Sequence, residues 1–173
     1  MELRPLVASL GLLAGTLAAV ASGTTAQAAT QAATTVYVAP SGTEDAAGTL
    51  ADPTTLASAI SRVAAGGTIY LRGGTYAYGQ TVTVPQGANG TASARTTITP
   101  YASEKPVLNF AAQSENSSNR GLQVNGSYWH IKGIVVEHAG DNGIYIGGSN
   151  NIVERTVTRF NRDTGLPVSY THL

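Results

Sequence analysis

The sequence predicts an all-β chain wound as a right-handed parallel β-helix, closed at its start by one short capping α-helix and truncated before its final coils. Three observations point there. Short alternating strands recur between Gly, Pro and Asn loops; apolar positions in the second half repeat every 22 residues; and one amphipathic stripe precedes the first coil.

The bulk composition sets the outer bounds. The chain has 173 residues, which suits one domain. Ten basic residues balance ten acidic ones, so the basic patch of a dedicated nucleic-acid binder is missing and no nucleic-acid partner is expected. With no cysteine there is no disulfide framework and no thiolate chemistry. Twenty glycines and a low charged fraction of 12% suit short strands and tight turns better than a helical bundle.

The N-terminus addresses the compartment. The run PLVASLGLLAGTLAAVAS after Arg4 is too short and too rich in small residues to span a bilayer comfortably. Ala26-Gln27-Ala28 then fits the small-x-small pattern read by signal peptidase. Residues 1–28 are therefore expected to be a signal peptide, cleaved between Ala28 and Ala29, leaving a secreted, extracellular monomer with no membrane segment. The competing reading is a membrane anchor, which Gly11, Gly15 and Thr16 weaken by diluting the apolar run.

Residues 29–51 read as a leader: one short strand alternating through Val36 and Val38, then a polar loop. The capping helix is expected over 52–67. Asp52-Pro53 supplies a cap and a first-turn proline; Leu56, Ala59, Ile60 and Val63 fall on one stripe; Gly66-Gly67 ends it. The coils are expected over 68–166. They start with Ile69 and Leu71 facing inward against Tyr70 and Arg72, continue through Val82 and Val84, and run on around Ile98 and from Val107 to Phe110.

The repeat fixes the expected register. Gly121, Gly143 and Gly165 lie 22 residues apart. In that frame Leu122 stacks under Ile144 and Leu166, Val124 under Ile146, Ile131 under Val153, and Val135 under Val157. Leucine-rich repeats share the period but need a dense leucine signature; several short β-branched segments per turn favour a parallel β-helix. The charges agree, since Lys132 falls beneath Glu154 and Glu137 beneath Arg159. Strands about 4.8 Å apart would let each pair meet.

Two stretches carry a family resemblance. YVAPSGTEDAAGTLADPTTLASAISRVAAGGTIYLRGGTY resembles the N-terminal cap and first coil of secreted pectate-lyase-like (pectin lyase-like) β-helix proteins. SYWHIKGIVVEHAGDNGIYIGGSNNIVERTVTRFNRDTGL resembles polysaccharide lyase family 9 more specifically. The resemblance implies Ca²⁺-assisted β-elimination on an acidic polysaccharide such as pectate or polygalacturonate. A base removes the proton α to the uronate carboxylate, the glycosidic oxygen leaves, and an unsaturated sugar forms. It also implies a lysine base and an aspartate-held calcium. In the family those residues follow the NRDTGL turn, so no catalytic residue is assigned in this chain.

The tail PVSYTHL breaks the rhythm. Family members usually place Gln where this chain has Pro167, and proline removes a ladder donor. A common sequencing adapter, translated in one frame, yields Val-Ser-Tyr-Thr-His-Leu, so residues 167–173 are expected to be adapter read-through. A chain stopping there is expected to be inactive and weakly stable.

The polar residues that remain each have a structural reading. Asn119, Asp141 and Asp163 form a third 22-residue ladder. A calcium site is one reading, with Asp163 its nearest candidate metal ligand; turn capping is the stronger one. His138, aligned with Phe160, reads as a ring packed beside the core, and Lys132 as half of an ion pair with Glu154. Arg155 and Arg162 could contact a uronate carboxylate, but solvated loop positions explain them as well. Trp129 and Tyr128 could stack on sugars, though covering the coil edge suits a strand start better. The functional alternatives are a non-catalytic glycan-binding or adhesive β-helix surface protein, or another β-helix carbohydrate enzyme: an alginate lyase, an epimerase or a glycoside hydrolase.

Overall fold

A computed structural model describes residues 33–167. The expected signal peptide with its Ala28–Ala29 cleavage point, and residues 168–173 of the tail, lie outside the described residues. β1 (Ala33–Thr43) is followed by α1 (Leu56–Arg62) and β2 (Val63–Leu71). Then come β3 (Gly74–Ala77), β4 (Val82–Val84), β5 (Thr96–Pro100), β6 (Pro106–Asn109) and β7 (Leu122–Val124). β8 (Trp129–Lys132), β9 (Val135–Glu137), β10 (Ile144–Ile146), β11 (Ile152–Glu154) and β12 (Val157–Arg159) complete the described chain.

These strands stack into three parallel sheets: β1-β2-β5-β8-β11, β3-β6-β9-β12 and β4-β7-β10. The coils β2-β3-β4, β5-β6-β7 and β8-β9-β10 each contribute one strand to each sheet in turn, the geometry of a three-sided β-helix. No helix among the described residues is long and apolar enough to cross a membrane.

The core is built from vertical ladders. In the first sheet Val36, Ile69, Ile98, Ile131 and Val153 are consecutive register partners, the first four buried. In the third, Val82, Leu122 and Ile144 stack, as do Val84, Val124 and Ile146. In the second, Tyr76, Leu108 and Val136 stack beneath Thr158. Full burial of each such aliphatic side chain contributes about 1.5–3 kcal/mol. Tyr76 donates its hydroxyl to the Val38 and Arg72 carbonyls, and burial pushes its phenol well above the ordinary value.

The 22-residue register holds at Ile131–Val153, Leu122–Ile144 and Val135–Val157. One ladder faces differently from the expectation. Val135 is half-buried and Val157 is exposed, whereas Val136 points into the core. Ile134 is buried at the corner, and strand alternation after it turns Val136, not Val135, inward.

The glycine ladder is a matter of close approach. A methyl group on Gly121 would collide with the Gly143 carbonyl oxygen, the acceptor for the Leu122 amide. The Gly165 carbonyl likewise accepts from Ile144. Corners repeat too: Tyr128 under Asn150, Gly133 under Arg155 and His138 under Phe160 all take positive φ, between 50° and 67°. Pro167 continues the register as an acceptor, its carbonyl facing the Ile146 amide at 3.4 Å.

The helix is shorter than the expected 52–67. Thr55, not Asp52, is the N-cap, its hydroxyl accepting from the Ser58 amide at 3.2 Å. Asp52 closes the preceding loop, with its carboxylate on the Ala47 amide and its carbonyl on the amides of Gly48 and Thr49. The chain leaves the helix at Val63 directly into β2, so Gly66-Gly67 lies inside a strand. Val63 serves both the end of the helical stripe and the first pairing with β1 through Ala33.

Candidate functional site

The aspartate ladder sits where β-sheet coils turn from the second sheet to the third, and its members have protein partners. Asn119 donates to the Ser114 carbonyl at 2.8 Å. Asp141 faces Arg120 Nε at 3.9 Å. Asp163 accepts from Asn142 Nδ2 at 3.3 Å and from the Thr164 hydroxyl at 3.4 Å. Among the described residues no group of three or more His, Asp or Glu side chains is placed to hold a metal ion.

The charged pairs divide. Glu137 and Arg159 meet as their register implies, at 2.7 Å, with Asn109 Nδ2 donating to the other carboxylate oxygen at 2.8 Å. Burial alone would raise the Glu137 carboxyl. The hydrogen bonds from Arg159 and Asn109, with the Arg159 charge, outweigh it and hold the carboxyl below its usual value. Lys132 and Glu154 are in register but do not pair. The Glu154 carboxylate turns to His130 Nε2 at 2.9 Å and to Arg155 Nε at 3.3 Å. His130 shares the outward face of β8 with Lys132, and its short, stiff ring reaches the carboxylate diagonally.

Trp129 is 1% exposed and donates its indole N–H to the Ala88 carbonyl at 2.6 Å, covering the coil edge as expected. It also walls a mostly apolar cavity of about 470 Å³ between α1 and the β4–β5 loop, with Ile60 and Val63 opposite. Tyr128 lies under the Arg95 guanidinium at 5.6 Å. His138 does stack on Phe160, with ring centroids 5.3 Å apart and planes at 25°. Both rings stand outside the core: His138 is exposed and Phe160 is 68% exposed. A positive φ at each corner throws the ring outward, so alignment in register did not mean burial.

Those two rings border a polar pocket of about 290 Å³ that the repeat does not announce. Gln113 and Gly140 form its lower wall, and Asn161 and Arg162 its upper one. Gln113 is fixed at both ends of its amide: its oxygen accepts from the Gly140 amide at 3.0 Å and its nitrogen donates to the Arg120 carbonyl at 2.9 Å. Asn161 is held by the Ala139 amide on its Oδ1 at 2.9 Å, while its Nδ2 is buried with no hydrogen-bond partner. Arg162 projects outward and meets Glu115 at 3.6 Å; its backbone amide donates to the Ala139 carbonyl. Gln113 lies in the long β6–β7 connection, outside the 22-residue frame, so spacing gave no sign of it. Arg155, the other candidate for a carboxylate, stands alone beside Glu154.

Comparison with known proteins follows the same geometry. The family model described as "Pel9A-like, right handed beta helix region" matches residues 36–172. Pectate lyase L of Paenibacillus polymyxa (strain SC2) is 52% identical over 146 residues, covering 84% of this chain and 32% of that protein. Pectate lyase L of Thermoclostridium stercorarium is 34% identical over 138 residues, covering 79% of this chain and 11% of that protein. The crystal structure of pectate lyase Pel9A superimposes with a TM-score of 0.69 at 33% identity, covering 79% of this chain and 37% of that one. The chain thus spans about a third or less of the relatives it matches. Parallel three-sheet coils, inward ladders in register and the match across nearly all of them agree: the chain belongs to the Pel9A-like right-handed β-helix family.

Proposed function

We propose that this chain forms the N-terminal cap and opening coils of a secreted lyase that cleaves pectate-type polyuronate by β-elimination. The observation that carries the reading is the 52% identity to a protein named pectate lyase L, which extends over 84% of this chain. The role of these residues is scaffolding: α1 and β1 cover the first coil, and each ladder sets the register of the coil above it. Secretion rests on the expected signal peptide.

Calcium, implied by the family resemblance, would acidify the proton α to the carboxylate. The described residues do not fit it. Asp141 is opposed by Arg120, and Asp163 is engaged by Asn142 and Thr164. The chemistry is therefore assigned to none of these side chains.

The test is to express the gene together with whatever coding sequence follows Leu166, and to incubate the product with polygalacturonate. Unsaturated uronides, detected by their ultraviolet absorbance and lost on chelation, are the expected result. A protein that binds the polymer without forming unsaturated ends would instead be a glycan-binding β-helix. Saturated products would make it a hydrolase.

A further inference from the structure

We infer that the apolar cavity between α1 and the β4–β5 loop is a binding site for one small, uncharged aromatic molecule of the phenol class. The inference goes beyond the lyase reading and does not rest on it.

The cavity holds about 470 Å³, within the roughly 300–1,000 Å³ of small-molecule sites. Ile60 and Val63 line it from the α1 side, Pro85 and Ala88 from the loop, and Trp129 from β8. No charged side chain lines it, so an ion would be stripped of water with no counter-charge in return. Most polar atoms of the wall are already engaged. Thr96 Oγ1 accepts from the Gly66 amide at 3.0 Å, the Ser61 hydroxyl donates to the Ser58 carbonyl at 2.8 Å, and Asn89 Oδ1 accepts from the Ser127 amide at 2.7 Å. Asn89 Nδ2 remains a donor with no partner among the described residues. Apolar walls with one directed donor fit a flat ring bearing one hydroxyl oxygen.

Two features separate this space from a packing defect. Hydrogen bonds hold it open. The Trp129 indole N–H donates to the Ala88 carbonyl at 2.6 Å and the Gly90 amide to the Ser127 carbonyl at 3.0 Å, so the loop is fixed before any ligand arrives. The loop also arches where its backbone favours glycine: Gly87 has a φ of 90°, and a methyl group there would meet no atom within 4 Å. A macromolecular partner fits less well, since a stable protein interface takes roughly 20–30 residues a side and ten line this cavity.

Trp129 is the only tryptophan in the chain, so its emission reports on the cavity. The experiment titrates the full chain with 2-naphthol, which absorbs where tryptophan emits and takes up its energy without touching the indole. A parallel titration uses 6-hydroxynaphthalene-2-sulfonate, the same ring carrying an anion. Saturable loss of Trp129 emission with 2-naphthol is expected, with the sulfonate about tenfold weaker or more. Ala65→Phe and Ser61→Phe add a ring to the lining from exposed positions and should each weaken 2-naphthol binding about tenfold or more. Asn89→Asp, which keeps the acceptor for Ser127 but removes the donor, should weaken it too. Phe160→Ala, outside the cavity, should leave it unchanged. The sulfonate comparison uses the unaltered chain, so the test decides even if a variant fails to fold. No saturable quenching by 2-naphthol, equal binding of the two probes, or binding indifferent to all three cavity substitutions overturns the inference. Self-association that Ala65→Phe abolishes, without a response to 2-naphthol, overturns it in favour of a second copy of the chain as occupant.

Discussion

Glu137 lies directly beneath Arg159 one coil above, and the two side chains meet at 2.7 Å while Asn109, one coil below, closes the other carboxylate oxygen at 2.8 Å. Three coils are thereby tied through one carboxylate that is nearly buried. This arrangement makes the fold sensitive to acid. The Glu137 carboxyl is held below its unfolded value of about 4.3. Its stabilisation is therefore complete above that pH and is lost as pH falls through the lower folded value. Urea unfolding from pH 7 to 3 should show a decline in stability below about pH 4.3 that Glu137→Gln reduces. An unchanged slope in that variant would place the acid sensitivity elsewhere. Arg159→Ala should cost about 1.5–3 kcal/mol at pH 7, the range for hydrogen bonds to charged groups.

The Ile98–Ile131–Val153 ladder predicts a large penalty for opening a gap in mid-stack. Ile131 is fully buried with a coil above and below, so Ile131→Ala should cost about 2–5 kcal/mol in denaturant unfolding. Ile152→Ala, at an exposed position on β11, should stay within about 0.5 kcal/mol. Equal effects at both sites would contradict the inward assignment.

Glycine at 121 is required by the spacing of coils. Gly121→Ala pushes a methyl group onto the Gly143 carbonyl and should destabilise by about 1–3 kcal/mol, as overpacking does. Gly79→Ala meets only the Ala112 side chain at ordinary contact distance and should be near neutral. Thermal melts of the two variants decide the point.

Trp129 is the only tryptophan in the chain and is 1% exposed. Native fluorescence should be blue-shifted, resistant to iodide, and should move red on unfolding. Trp129→Phe leaves the Ala88 carbonyl without its donor and should cost about 1–3 kcal/mol. Emission already red in the native protein would refute the burial.

Much of the architecture was legible because a β-helix repeats its constraints. A residue that faces inward must sit on another that does the same, so Leu122, Ile144, Ile131 and Val153 announce their register at a spacing of 22. The Glu137–Arg159 pair follows from that spacing alone. The earlier coils hid their repeat for a physical reason. Loops of unequal length separate the partners there, putting Val82 40 residues from Leu122 and Asn109 28 from Glu137. Loop length costs little entropy to vary, so no fixed period survives.

By itself, then, the sequence determined the parallel coiling, the late register, the glycine ladder and the apolar identity of the core. Only the tertiary structure decided what depends on direction at corners and on diagonal reach. Val136 rather than Val135 faces inward because Ile134 turns the chain. Thr55 rather than Asp52 caps the helix because the loop claims Asp52. His130 takes Glu154 from Lys132, and left-handed corners lift His138 and Phe160 out beside Gln113 and Arg162. Side-chain period is local and recurs along the chain, whereas a corner's turn and a diagonal contact exist only once the coils are stacked.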